Sequence, residues 1–195
     1  MQNNTIEKRR CSGSFGIPNY WNSRVLLDYH DNRWCKPEHD DNEIFATLCL
    51  EIFAAGLSWR IILEKESNLR QAFDNFVPNI AALYNENNVK LLLSNVGIIR
   101  NIKKIEATIN NAKIFLRIQK NFGSFNNYIW NFTNYNIIDH HLKNCEDMPA
   151  RNELSDAICK DMKQKGFKFI GSITIYSFLQ GIGIVNDHWE YCEYR

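Results

Sequence analysis

His188 and Cys192 stand four residues apart in a chain of 195 residues. If that stretch turns as a helix, both side chains share one face, as two ligands of one metal ion require. Cys11 and His30 are the partners that the N-terminal part of the chain offers. Two thiolates and two imidazoles would form a closed, tetrahedral, structural site that clips the two ends of the chain together. The alternative is a chance His-x3-Cys spacing, since the interval between Cys11 and His30 is unusual for a metal motif. His39, His140 and His141 show no comparable pairing and read as surface residues.

A second group lies in Leu50-Glu51-Ile52-Phe53-Ala54-Ala55-Gly56-Leu57-Ser58-Trp59. Glu51 interrupts an otherwise apolar helix face, and a buried carboxylate needs hydrogen-bond donors or a cation. One reading is a core glutamate satisfied by backbone or a lysine. The other is a carboxylate at the floor of a pocket, accepting hydrogen bonds from a base edge and attracting a positively charged ring. Tyr29, Trp34 and Trp59 supply aromatic faces nearby in sequence. Such rings are usual core residues, and they also form cages for cationic planar ligands. A third group, Lys165-Gly166-Phe167-Lys168-Phe169-Ile170-Gly171-Ser172, is a short glycine-bounded turn between two helical segments. It is either an ordinary helical hairpin or a helix-hairpin-helix whose backbone amides hold a DNA phosphate without reading sequence.

The elements that must position these groups are helical. Asp41-Asn42-Glu43 precedes the apolar run from Ile44 to Ala55, which predicts a buried helix opened by a polar cap and ended by Gly56. Ser58 caps the next helix, with Trp59, Ile61, Ile62 and Leu63 on its apolar side. A short helix is expected from Asn88 to Leu93. Apolar residues at 98, 102, 105, 109, 112, 115 and 116 predict a long one from Ile98 to Ile118. Phe125 to Phe132 reads as a short aromatic helix, and Thr133 to Pro149 as irregular. Ser155 to Met162 and Gly171 to Gly181 read as helices separated by the break at Gly166. Nothing alternates with period two for long, so the expected fold is all-α.

Composition sets the outer limits. Hydrophobic residues make up 45% of the chain, enough for a core and too many for a disordered segment. No apolar run reaches membrane-spanning length, and the first seven residues contain no signal core, so a cytoplasmic protein with no membrane partner is expected. The formal net charge of +1 argues mildly against a nucleic-acid partner. Basic residues nevertheless cluster at Lys8-Arg9-Arg10, at Arg100 with Lys103 and Lys104, and at Lys163, Lys165 and Lys168, either as solvated helix faces or as a DNA-facing surface. Six cysteines without a secretion signal read as free thiols or metal ligands rather than disulfides.

Taken together, five segments resemble the 3-methyladenine DNA glycosylase I family. They are Tyr29-His30-Asp31-Asn32-Arg33-Trp34, Leu50-Glu51 with Ala55-Gly56-Leu57-Ser58-Trp59, Gly97-Ile98-Ile99-Arg100, Gly166-Phe167-Lys168-Phe169, and Val185-Asn186-Asp187-His188 with Cys192. They occur in family order from residue 11 onward. The resemblance implies a helix-hairpin-helix DNA glycosylase fold, with residues 1–10 as an N-terminal extension and 11–195 as one domain of two helical lobes. It implies structural zinc on Cys11, His30, His188 and Cys192. It puts Glu51, Tyr29 and Trp59 in a base pocket supported by Trp34, with Glu51 as the catalytic group. Leu57 is expected to fill the gap left by an extracted nucleotide. Lys168, Phe169, Ile170, Gly171 and Ser172 are expected to contact DNA.

The implied activity is monofunctional removal of 3-methyladenine from double-stranded alkylated DNA, by a monomer that releases the free base and leaves an abasic site. Related glycosylases carry an aspartate after the hairpin where this chain has Asn186, and no lysine matches a Schiff-base position. Three departures from the family pattern stand out. The Cys11–His30 interval is longer than usual. The pocket tryptophan expected just after the first cysteine is replaced by Ser12 and Gly13, leaving Phe15, Tyr20 or Trp21 as substitutes. The tyrosine expected three residues before Tyr29 is Leu26. Competing readings are a glycosylase for another alkylated base and a non-catalytic, zinc-stapled DNA-binding module; the latter has no need of Glu51, Tyr29 and Trp59 together.

Overall fold

Asp40 opens the central helix: its side chain accepts hydrogen bonds from the backbone N–H groups of Asn42 and Glu43 at 2.9 and 3.0 Å. The computed structural model describes residues 8–14 and 17–195, so residues 1–7 of the expected extension and Phe15 lie outside the described residues. The helices are α1 (Arg24–Asn32), α2 (Asp41–Ala54), α3 (Trp59–Ala72), α4 (Pro78–Ala81), α5 (Glu86–Ser94), α6 (Ile102–Phe122), α7 (Phe125–Trp130), α8 (Glu153–Lys165) and α9 (Ser172–Gly181). The fold is mostly helical. Two minimal strand pairs are added: β1 (Gly13–Ser14) antiparallel to β2 (Ile17–Pro18), and β3 (Ile138–Asp139) parallel to β4 (Val185–Asn186). Two-residue strands are too short to leave an alternating pattern in the sequence.

Helix α2 is apolar on nearly every face and is enclosed by α3, α6, α7 and α9. Ile44, Phe45, Leu48, Ile52 and Phe53 are all inaccessible to solvent. Glu51 therefore rides near the end of the most deeply buried helix of the molecule. The long helix α6 begins and ends four residues later than its apolar periodicity predicts. Asn101 caps it by accepting from Lys104 N, and its last turn is polar, closing at Gly123 with φ of 83°. Residues 97–101 form the turn before it, which is where the apolar repeat misleads.

The segment that must carry the hairpin is built with care for its backbone. Asn152 and Ser155 form a reciprocal capping box on α8. Gly166, at φ of 101°, ends α8 in the left-handed conformation that glycine adopts without strain. Asn111, buried in α6, then grips the turn from both sides: it donates to Lys168 O at 3.0 Å and accepts from Lys168 N at 2.8 Å. After α9 the chain packs closely on residues 35–38. Cys35 N donates to Gln180 O and Glu38 N to Ile182 O. A Cβ at Gly183, whose φ is 70°, would come within 2.3 Å of the Lys36 carbonyl carbon, so only glycine fits there.

Two hydrophobic clusters result. The larger gathers the interiors of α2, α6, α7, α8 and α9. The smaller contains Cys11, Trp21, Leu26, Tyr29, Trp34, Cys35, Trp189 and Cys192, with Trp59 packed against both. Residues 8–10 run beside the C-terminal segment. Arg9 N donates to a Glu193 carboxylate oxygen at 2.6 Å, and Arg10 pairs with Asp31 at 2.9 Å.

Candidate active site and metal centre

The seam between the two clusters opens into a cavity of about 280 Å³. Glu51 of α2 lies in its wall, with Tyr29 from α1, Trp34 just after it, and Trp59 at the start of α3. The spacing of Leu26, Tyr29 and His30 places all three on the buried face of α1, so one helix serves both the cavity and the cluster behind it. Tyr29 meets Trp59 edge to face at 5.3 Å, and the Arg33 guanidinium lies 5.4 Å from the Tyr29 ring centre. Trp34 is deeper: it backs the cavity while packing against Trp21 at 4.9 Å and His188 at 4.7 Å.

The three sequence alternatives for an aromatic near Cys11 are now separable. Tyr20 and Trp21 both line the cavity, and Phe15 lies outside the described residues. Leu26 is buried in the smaller cluster rather than in the cavity wall. Thr174, Ser177 and Gln180 of α9 complete the lining, and none of them belongs to a motif that marked it in the sequence.

Glu51 is only 7% exposed, and burial alone pushes its carboxyl up to about 8, with no hydrogen bond from the described residues to offset it. Burial, and then the neighbouring Glu51, also push the Tyr29 hydroxyl well above its ordinary value. Three further buried polar atoms on lining residues lack a hydrogen-bond partner among the described residues: Trp21 Nε1, Trp59 Nε1 and Gln180 Oε1. Unmet donors and acceptors around an aromatic cavity are costly in a bare core and useful against a planar, polar-edged ligand.

Behind the Trp21–Trp34 wall, Cys11, His30, His188 and Cys192 come together, with all four ligand atoms within 4.8 Å of one another. Sγ of Cys192 lies 3.4 Å from His188 Nδ1 and 3.7 Å from His30 Nε2, and Sγ of Cys11 lies 3.6 Å from His188 Nδ1. A tetrahedral ion with bonds of ~2.3 Å to sulfur and ~2.0 Å to nitrogen would set sulfur and nitrogen about 3.5 Å apart. The remaining ring nitrogens are anchored as metal-bound imidazoles require: His30 Nδ1 on Asp31 at 2.8 Å and His188 Nε2 on Trp34 O at 3.1 Å. Trp189 N donates to Cys11 Sγ. The four residues thus fit a metal ion. His188 and Cys192 reach it from a chain of turns, not from the helical turn that their spacing suggested.

Leu57 is 41% exposed beside the cavity mouth, and Phe169, at φ of 58°, is 39% exposed on the hairpin turn. Lys168 is exposed, Ile170 is buried beneath the turn, and Gly171 and Ser172 begin α9 with no side chain capping its N-terminus. Lys104, expected on a solvated face, is only 4% exposed. Its ammonium donates to Phe53 O at 2.8 Å and Ala55 O at 2.7 Å, and it lies 5.8 Å from the Phe169 ring. It caps the carbonyl end of α2, where a cation is favourable, and ties that end to the hairpin. His140, expected on the surface, is half-buried and hydrogen-bonded to buried Asp187 at 2.6 Å. Asn186 is occupied structurally, donating to Asp139 and accepting from His188 N.

With this geometry in place, comparison with known proteins is informative. Residues 20–195 match the family described as methyladenine glycosylase. The chain is 40% identical over 168 residues to DNA-3-methyladenine glycosylase 1 of Escherichia coli (strain K12), covering 86% of this chain and 90% of that protein. It is 38% identical over 168 residues to DNA-3-methyladenine glycosylase of Haemophilus influenzae, covering 86% and 91%. A solved structure of a variant of 3-methyladenine DNA glycosylase I in complex with 3-methyladenine superposes with a TM-score of 0.88 at 32% identity, covering 94% of this chain and 96% of that one.

Proposed function

The chain belongs to the methyladenine glycosylase family, and from that premise we propose that its cavity is the base pocket of a monofunctional DNA-3-methyladenine glycosylase. Methylation at N3 leaves the adenine of DNA cationic and weakens its glycosidic bond. That bond breaks with its electron pair going to N9. Water supplies the hydroxyl to C1′ and releases a proton, so the products are neutral 3-methyladenine and an abasic site. The protein needs to extract the base, bind it and hold the duplex while water attacks.

The observation that carries this reading is Glu51, a buried carboxylate with no hydrogen-bond partner among the described residues, in a cavity walled by Tyr20, Trp21, Tyr29 and Trp59. A cationic base offers it the countercharge that the fold does not, and the aromatic walls offer stacking area. Glu51 thereby stabilises the cation electrostatically and accepts from the base edge. Trp59 stacks, Tyr29 adds a ring and a hydroxyl, and Trp34 supports the wall from behind. No lysine lines the cavity among the described residues, which accords with hydrolysis rather than a Schiff-base route to strand cleavage.

The turn between α8 and α9 is read as a helix-hairpin-helix: Lys168 and the backbone around Phe169, Ile170, Gly171 and Ser172 hold the phosphate backbone, and Leu57 enters the gap left by the flipped nucleotide. The ion on Cys11, His30, His188 and Cys192 is read as zinc. When bound it supplies a structural cross-link behind the pocket wall. The unit is taken as one domain, 11–195, acting as a monomer. Six buried, unpaired cysteines suit a reducing cytoplasm, and no helix among the described residues is long and apolar enough to cross a membrane.

The test is release of bases from methylated duplex DNA. Wild-type protein should liberate 3-methyladenine and leave alkali-sensitive abasic sites without nicking the strand itself. Glu51→Gln should release it at least about tenfold more slowly. Equal rates in the two proteins would return Glu51 to the role of a core carboxylate. Release of a different methylated base alone would favour the competing lesion assignment.

A further inference from the structure

Gln180 is 0% exposed, lines the cavity, and leaves its amide oxygen without a partner among the described residues. Its amide nitrogen is fully engaged on the other side. Nε2 donates to Asp187 Oδ2 at 2.7 Å and to Met148 Sδ at 3.5 Å. Asp187 is itself buried and fixed by Tyr176 OH at 2.6 Å and His140 Nδ1 at 2.6 Å. The backbone is pinned as well, since Gln180 O accepts from Cys35 N and Gly183 N. Turning the amide over would set its oxygen against the Asp187 carboxylate, so the arrangement admits one orientation only. Oε1 is the amide atom left without a partner among the described residues, on a residue that lines the cavity.

We infer that Gln180 is a specificity-determining residue whose fixed amide oxygen accepts a hydrogen bond from the exocyclic amino group of the bound base, selecting 6-amino over 6-keto 3-methylpurines. The inference rests on the base-pocket reading above and deepens it. Glu51 cannot make this distinction alone. Burial holds its carboxyl at about 8, so near neutrality it interchanges between donating and accepting and adapts to either group. Gln180 Oε1 has no proton to offer and no freedom to rotate. Facing a keto oxygen, it would remain a buried acceptor against an acceptor, which is the arrangement that gives polar sites their discrimination.

Equilibrium binding of free 3-methyladenine and free 3-methylhypoxanthine, which differ in the 6-substituent and in the ring proton that the keto form carries, tests the inference on metal-loaded full chain through the change in their affinity ratio on substitution. Wild type should prefer the amino base, and Gln180→Met, of similar size, should reduce the ratio of affinities by about tenfold, mainly by weakening the amino base. Gln180→Glu should keep the ratio, because its carboxyl, protonated beside Asp187, donates there and leaves a carbonyl oxygen to the cavity. Equal weakening of both bases by Gln180→Met, an unchanged ratio, or a Gln180→Glu variant that loses the preference would each overturn the inference. If Gln180→Met does not fold, Gln180→Glu and wild type still decide it, since a wild type with no preference for the amino base refutes it outright. A wild type that binds neither base and releases none from methylated DNA refutes instead the base-pocket reading on which it rests.

Discussion

Replacing Glu51 by glutamine should make the protein more stable, and by an amount that grows with pH. The carboxyl titrates near 4.5 when exposed and is pushed up to about 8 by burial in the folded chain. The folded state therefore holds its proton more tightly than the unfolded state. The group costs nothing below pH 4.5, costs progressively more as pH rises between the two values, and reaches its full cost above pH 8. At ~1.4 kcal/mol per pH unit, the cost at pH 7 is about 3 kcal/mol and its limit is ~5 kcal/mol, both lowered to the extent that cavity water reaches the carboxylate. Glutamine keeps the shape and does not titrate. For a chain of this size, ~3 kcal/mol corresponds to a melting temperature roughly 6–12 °C higher at pH 7. Scanning calorimetry of wild type and Glu51→Gln from pH 5 to pH 8.5 should give curves that nearly coincide at the acid end and diverge steadily. Parallel curves would mean that Glu51 is solvated or paired, and would remove the energetic argument for a waiting cation site.

Three other outcomes follow from the geometry. Purified protein should carry one equivalent of zinc by elemental analysis, and Cys192→Ala should lose it along with at least about 3 kcal/mol of stability; metal-free protein of undiminished stability would refute the site. Trp59→Ala should weaken binding of free 3-methyladenine by roughly 1–3 kcal/mol in titration calorimetry while zinc content is unchanged. Lys168→Ala should weaken binding to all duplexes alike and reduce the salt dependence by about one counterion in a fluorescence titration; altered base preference instead would mean that the hairpin faces the wrong way.

What the sequence made legible depended on whether the relevant physics is local. The polar start of α2 and the glycine break at Gly166 are properties of a few consecutive residues, and both stand in the structure, though Asp40 rather than Asp41 provides the α2 cap. The end of α6 was misplaced because its last turn is largely polar and is held by Gln119 donating to Asp41 and by Asn127 donating to Phe122 O rather than by an apolar stripe. Helix α1 and the paired roles of Tyr29 and His30 on one face of it were not anticipated. Lys104 looked like one member of a basic cluster, and its burial depends on carbonyl groups about fifty residues away. Tyr20 and Trp21 could be proposed only as alternatives, since reaching the cavity depends on how an irregular segment is laid over Trp34. Gln180 carried no signal, because the partner that orients it, Asp187, lies seven residues on across a turn.

The Cys–His cluster also ties together distant parts of the chain. Its contacts join residues 177 and 162 positions apart in the chain, among the longest loop closures the fold makes. Closing a loop of that span carries an entropic cost that the contacts at the cluster must offset. Trp21 packs on His30 at 4.8 Å, so one side of the cavity is fastened to a residue of α1 that also belongs to the cluster. On the proposed reading of these residues as a metal site, loss of the ion should loosen the Trp21–Trp34 wall of the cavity before it disturbs the core around α2.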